Sequence, residues 1–134
     1  MRKIILISCV SKKLPNKSKA RDLYVSALFK KNLRFAQKLD PDHIFILSAK
    51  YGLVDLDDEI EPYDLTLNTM STAEIRLWAN GVLRQLAEVS DLQQDHFIFL
   101  AGDKYRKYLL PRLKNVEIPL QGLRIGEQLH RLSE

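Results

Sequence analysis

The chain is 134 residues long, 46% hydrophobic and 28% charged, the balance of an ordinary globular protein with bulk for one core, so a single domain over residues 1–134 is expected. Nothing in it approaches the roughly 20 apolar residues of a membrane span, and Met1-Arg2-Lys3 leads into only about six, too few for a signal peptide, so no membrane partner and a cytoplasmic location are expected. The net charge of +4 is unevenly spread: residues 1–40 hold eleven Lys/Arg against two Asp/Glu, residues 41–74 one against eight, and residues 75–134 nine against seven. The basic first third has the footprint of a surface that meets phosphates, or of a solvated helix face and loop.

In chain order, residues 3–9 (KIILISC) form a continuous apolar run that suits a strand covered on both faces. Ser8-Cys9-Val10-Ser11-Lys12-Lys13 leaves its carboxyl end, and Pro15, Asn16 and Ser18 mark a loop to Lys19. Leu23, Ala27, Leu28, Phe35 and Leu39 then repeat at helical spacing, which predicts one helix from Ala20 to Asp40-Pro41. A second strand over residues 43–48 completes a β-loop-α-β unit with parallel strands. It stops at Ser48-Ala49-Lys50-Tyr51-Gly52. An acidic loop with Asp55, Asp57, Asp58 and Glu59 runs on to Glu61-Pro62-Tyr63-Asp64-Leu65-Thr66, and no helix or strand pattern covers it. Ser71-Thr72-Ala73-Glu74 is a capping-box pattern that starts a helix buried through Ile75, Leu77, Trp78, Val82, Leu83, Leu86 and Ala87. A third strand is predicted over residues 96–101, a helix over 103–113, a fourth strand over 116–118 and a last helix over 125–131. The alternation predicts an α/β layered sandwich with a mainly parallel four-stranded sheet flanked by helices.

Such a sheet gathers Ser8, Cys9, Ser48, Lys50, Tyr51, Gly102 and Asp103 along the carboxyl edge of its strands, where open α/β folds hold ligands. SCVSKK lacks the glycines of a Walker loop and no GxGxxG occurs, which disfavours ATP-driven and nicotinamide chemistry. Cys9 next to Lys12 and Lys13 reads either as an activated thiol or as a small packing residue at a strand end. Ser8 and Ser48 have no assigned histidine and read as hydrogen-bond donors to a phosphate or base. Lys50, Tyr51 and Gly52 combine a cation, a stacking face and room for close approach; the alternative is a core cap followed by a turn. Asp64, which follows Pro62-Tyr63 and precedes Thr66, is the carboxylate set apart from the acidic run, able to activate water or stabilise an oxocarbenium-like state. Tyr105, Arg106 and Lys107 open a helix beside Gly102 and read either as bringing Arg106 or Lys107 to a phosphate or as an exposed helical face. The acidic run reads as a solvated loop rather than a magnesium site, and His43, His96 and His130 lack metal-ligand spacing, so neither metal nor cofactor is expected.

LSAKYGLV followed by IEPYDLTL, with SCVSKK before and AGDKYRKYL after, resembles a family of small bacterial and phage proteins of unknown function over most of the chain. Over about twenty residues, Leu47-Ser48, Tyr51-Gly52-Leu53, Ile60 and Pro62-Tyr63 are also similar to the LSGLYGLL…IxPY signature of the YaaA peroxide-stress family. Ala49-Lys50 replaces that family's Gly-Leu, and Asp64 stands where it carries arginine. The second resemblance implies DNA binding in a fold likened to DNA glycosylases. The expected function is therefore nucleic-acid binding, DNA ahead of RNA, with N-glycosidase hydrolysis at a base or nucleotide carried by Asp64. The expected binding residues are Ser8, Cys9, Lys12, Lys13, Ser48, Lys50, Tyr51, Gly52, Tyr63, Thr66, Gly102 and Tyr105. A non-catalytic DNA-binding stress protein and a small-molecule nucleotide-binding module are the alternatives.

Overall fold

The apolar runs become the middle of a sheet in a computed structural model that describes residues 1–133. In chain order the described residues form β1 (Lys3–Ser8), β2 (Ser18–Lys19), α1 (Ala20–Leu23), α2 (Ala27–Lys38), β3 (His43–Ser48), β4 (Gly52–Asp55), β5 (Glu59–Ile60), α3 (Thr72–Val89), β6 (His96–Leu100), α4 (Asp103–Arg106), β7 (Asn115–Glu117) and α5 (Ile125–Leu132). Single 3-10 turns lie at Leu67–Thr69 and Leu110–Arg112. The main sheet has the order β4-β3-β1-β6-β7. β3, β1, β6 and β7 run parallel, and β4 returns antiparallel along β3.

Side chains alternate across these strands as a period of two requires. Ile5, Ile7, Ile46, Ile98 and Leu100 pack on the face covered by Leu23, Phe29 and Ala36 of α1 and α2, and α5 lies against α2. Ile4, Leu6, Phe45, Leu47, Phe97 and Phe99 pack on the other face, beneath Ala79, Val82, Leu83 and Leu86 of α3. Each such Ile, Leu or Phe contributes about 1.5–3 kcal/mol on full burial, which is why the central strands need no polar alternation. Among the described residues no helix is long and apolar enough to cross a membrane.

The α/β sandwich stands, with one strand more than expected. The fifth, β4, comes from the stretch read as loop. Ser48 pairs with Gly52 across a tight reversal, and Gly52 adopts φ +75°, so the chain turns straight back along β3. Next, β5 pairs antiparallel with β2, which ties the acidic stretch to the basic loop. The long helix from Ala20 is in fact two. Residues 12–14 pair with residues 23–25 through Leu14 N–H to Leu23 O (2.9 Å), Val25 N–H to Lys12 O (3.0 Å) and a bridge between Lys13 and Tyr24. That pairing demands extended backbone at Tyr24, and Ser26 recaps the chain by accepting the Phe29 N–H at 3.1 Å. The helix expected over 103–113 also breaks, because Pro111 lacks the N–H that a continuing helix would use.

Candidate functional site

Parallel pairing puts the carboxyl ends of β1, β3 and β6 at one edge: Ser8 lies opposite Leu47, and Ile7 opposite Leu100. Two hollows open just beyond. One, of about 420 Å³, lies between α2, the end of β6 and α4; the other, of about 440 Å³, lies between residues 9–13 and residues 64–68. Cys9, Val10, Asn68 and Tyr105 line both, so the two form a bent cleft with these residues at its waist. Each hollow has the size of a small-molecule site.

Behind the waist lies a phenol network. The Tyr51 N–H donates to Ser48 Oγ (3.0 Å), Ser48 Oγ donates to Tyr63 Oη (2.7 Å), and Tyr63 Oη is 2.7 Å from Tyr24 Oη. Trp78 Nε1 donates to the Ser48 carbonyl at 2.8 Å and sets its ring edge-on to Tyr105. Burial pushes the Tyr24 phenol up to about 12. Burial first, and then the nearby Cys9, push Tyr63 and Tyr105 higher still. At physiological pH all three are neutral hydroxyls, which orient neighbours and do not act as bases. Cys9, 8% exposed, points its thiol at Tyr105 Oη (3.5 Å), which also accepts the Leu67 N–H at 3.4 Å.

Lys13 is the cation of this wall. Its Nζ lies 4.4 Å from the centre of the Tyr63 ring and 5.7 Å from that of Tyr24. Burial lowers its pKa, while Cys9 and Asp64 oppose that shift. Asp64 is exposed on the same hollow, and the hydroxyl of Thr66, also on that wall, accepts the Asn68 N–H at 3.2 Å. Among the described residues no three His, Cys, Asp or Glu side chains gather into a metal site.

Of the residues expected at the site, Ser8, Cys9, Lys13, Asp64, Thr66, Gly102 and Tyr105 line the cleft. Lys12 is exposed beside it, held by its backbone to Val25. Ser48 needs correction: it is 0% exposed, and its hydroxyl is taken by Tyr63 and the Tyr51 N–H, so it cannot reach a phosphate or base. Tyr63 serves the cleft from behind, through that same network. Tyr51 is set edge-on to Tyr63 (5.6 Å) with Lys50 over its ring (5.3 Å), and neither lines the cleft. Gly52 is no ligand-approach glycine. The atom that comes close to it is Gln85 Oε1, 2.3 Å from where a Cβ would stand.

Two wall residues, Lys104 and Asn32, and one behind the wall, Tyr24, escaped sequence reasoning. Lys104, two positions past Gly102, lines the first hollow with its Nζ 3.3 Å from the Asn68 carbonyl, whereas the neighbouring Arg106 is held at the Ala101 carbonyl (2.6 Å) and Lys107 lies over Tyr108. Tyr24 was hidden because it sat inside a stretch read as helix. Asn32 had a visible signal: it falls between Phe29 and Ala36 on the buried face of α2, where an apolar residue is expected.

A family model described as a family of unknown function (DUF6884) matches residues 4–134 of the chain. A search of curated proteins finds no match.

Proposed function

Since the chain belongs to that family of unknown function, its role is read from its own cleft, and we propose that it binds a nucleotide unit there, free or within nucleic acid, and hydrolyses the N-glycosidic bond. The observation that carries this reading is the shared wall of Lys13, Asp64 and Thr66 in one hollow at the carboxyl edge of the sheet. Lys13 supplies a cation for phosphate. Asp64 supplies a carboxylate open to the same space, and Thr66 a hydroxyl. In the reaction, a water oxygen adds to the sugar C1′, the C1′–N bond breaks with its electron pair leaving on the base nitrogen, and the base takes up a proton. Asp64 stabilises the positive charge that develops at C1′ or accepts the proton of the attacking water. The neutral phenols of Tyr24, Tyr63 and Tyr105 position the wall and take no part as bases. Similarity of residues 47–63 to the YaaA signature supports DNA ahead of RNA as the macromolecular source.

A non-catalytic nucleic-acid binder is the second reading, favoured by the exposure of Asp64, which leaves its carboxylate in water. The test is release of free base from oligonucleotides carrying normal and modified bases, run beside a binding titration. Asp64→Asn keeps the size of the side chain but not its charge, so base release falls roughly 10²–10⁴-fold while binding changes little. Binding without release from any substrate by the unaltered protein would favour the binder instead. Full activity in Asp64→Asn would move the chemistry to Asp103, the carboxylate on the wall of the other hollow.

A further inference from the structure

We propose that Lys13 is an imine-forming amine, whose Nζ adds to the open-chain C1′ aldehyde of a phosphorylated deoxyribose, the sugar that base release leaves in the cleft. Its position sets it up for this. Residues 12–14 pair with residues 23–25 and Lys13 bridges Tyr24, so its backbone is fixed while its side chain lines the hollow that also holds Asp64 and Thr66. Nζ lies against two aromatic rings, 4.4 Å from the centre of Tyr63 and 5.7 Å from that of Tyr24. Among the described residues its hydrogen bond goes to the Ser11 carbonyl at 3.2 Å, and it makes no ion pair. Lys12, Lys17, Lys19 and Lys104 are exposed, whereas Lys13 is half-buried.

An ammonium in such a place loses hydration without a carboxylate in contact to replace it. Burial lowers the Lys13 pKa against the opposing pull of Cys9 and Asp64, which raises the share of free amine at neutral pH. The free amine carries the lone pair that attacks a carbonyl, which is why desolvated lysines form Schiff bases. The two protonation states then act in turn. As an ammonium, Lys13 meets the phosphate of the intact nucleotide; as an amine, it meets the sugar once the base has gone. Hydrolysis at C1′ leaves a hemiacetal carbon that opens to an aldehyde. The nitrogen lone pair bonds to that carbon and the carbonyl pair moves onto oxygen. Both amine protons pass to the oxygen, which leaves as water, and the pair freed on nitrogen closes the C=N bond. Asp64 is the carboxylate on the same wall that carries those protons. Lys104, with its Nζ 3.3 Å from the carbonyl of Asn68 at the waist, remains as a cation for the sugar's phosphate.

The inference rests on the proposed function for the source of the aldehyde, but its test supplies the aldehyde directly. The unaltered protein is incubated with sodium cyanoborohydride and either free 2-deoxyribose 5-phosphate or a short single-stranded oligonucleotide carrying an abasic site. The hydride reduces an imine to a stable secondary amine. Intact mass then shows a single adduct, and peptide mapping places it on Lys13, a readout that needs no variant to fold. Trapping by the free sugar phosphate alone identifies a nucleotide-derived ligand, and trapping by the oligonucleotide a nucleic-acid one. Lys13→Arg keeps the positive charge but not the nucleophile, and the adduct is lost; Lys17→Arg, on the exposed loop, retains it. No adduct with either aldehyde, an adduct spread over the exposed lysines, or full trapping in Lys13→Arg overturns the proposal. An adduct on Lys13 without base release from any substrate leaves the carbonyl site standing and removes the hydrolase. Base release without an adduct does the reverse.

Discussion

Gly52→Ala tests how the turn behind the cleft is held. At φ +75°, alanine incurs about 1–2 kcal/mol of left-handed strain. Its Cβ would also stand 2.3 Å from Gln85 Oε1 and 3.3 Å from Gln85 Cδ. Gln85 is flexible and swings aside, but Oε1 accepts the Leu53 N–H at 2.8 Å and Nε2 donates to the Tyr51 carbonyl at 3.4 Å, so moving it strips β4 of a side-chain anchor. Leaving a half-buried N–H unpaired costs at most about 1–3 kcal/mol, and the half-exposed edge position puts this one at the low end. The sum is about 2–4 kcal/mol, a large part of the roughly 5–15 kcal/mol that holds a domain of this kind. Urea unfolding followed by circular dichroism reads it as a lower midpoint at unchanged slope. In a Gln85→Ala background only the backbone part remains, about 1–2 kcal/mol, because the anchor is already gone. A loss under about 1 kcal/mol, or the same loss in both backgrounds, would refute the account.

Two further predictions concern charge. Lys13→Ala lowers the slope of log affinity against log salt for a single-stranded oligonucleotide by about 0.7, the loss of one phosphate contact, and Lys12→Ala lowers it less; binding that is absent at low salt, or unmoved by salt, contradicts this. Asp95 accepts the Asp91 and Arg2 N–H groups, both at 2.8 Å, and first the Asp91 N–H, then that of Arg2, hold its carboxyl below the ordinary aspartate range. A depressed carboxyl lends stability above the unfolded value near pH 4 and loses it as pH falls through the folded value. Asp95→Asn therefore unfolds more easily at pH 7 by roughly 1–3 kcal/mol, and the gap closes below pH 4 in acid-titrated urea melts.

The legible parts of this fold are those where local chemistry and tertiary packing agree. The runs at residues 4–7, 44–47 and 97–100 are too apolar for anything but a covered sheet, and the Ser71–Glu74 box appears as read, with Ser71 N–H to Glu74 Oε1 at 2.9 Å and Glu74 N–H to Ser71 Oγ at 3.2 Å. The illegible parts owe their form to distant partners. Tyr24 leaves the helix because residues 12–14 claim its neighbours as an extended partner, which no window around it reveals. β4 is only four residues long and buried at every second position, and exists because β3 offers a free edge. The same division runs through the site. Ser8, Cys9 and Gly102 follow from topology alone, since any parallel sheet brings strand ends together. That Ser48 faces inward and Tyr51 stands off the cleft depends on side-chain directions after a turn, and these the chain order does not encode.

Under the proposed function, the charge pattern favours a single nucleotide over a long polyanion. The basic and acidic segments are neighbours in space: β2 and β5 pair, Ala20 N–H meets Asp58 O at 2.8 Å, Arg21 N–H meets Leu56 O at 2.9 Å, and the Arg21 guanidinium sits 3.0 Å from Asp57. An exposed pair of that kind is worth only about 0–1 kcal/mol, so the backbone bonds hold the segments together and the ion pair mainly cancels field. Asp55 and Asp57, with Asp40, Asp42 and His43, line a separate hollow at the amino end of β3, on the far edge of the sheet from the cleft. The cleft itself is left with Lys13, Lys104 and Arg106 against Asp64 and Asp103. Arg106 is held at the Ala101 carbonyl at 2.6 Å, whereas Lys104 makes only a longer, 3.3 Å bond to the Asn68 carbonyl and keeps two N–H groups, which leaves two lysines for phosphate. Under the proposed function such a wall engages one or two phosphates. The salt slope is correspondingly shallow, about −0.7 to −1.4 for a single strand, instead of the steep slope of a protein that tracks many phosphates along a groove.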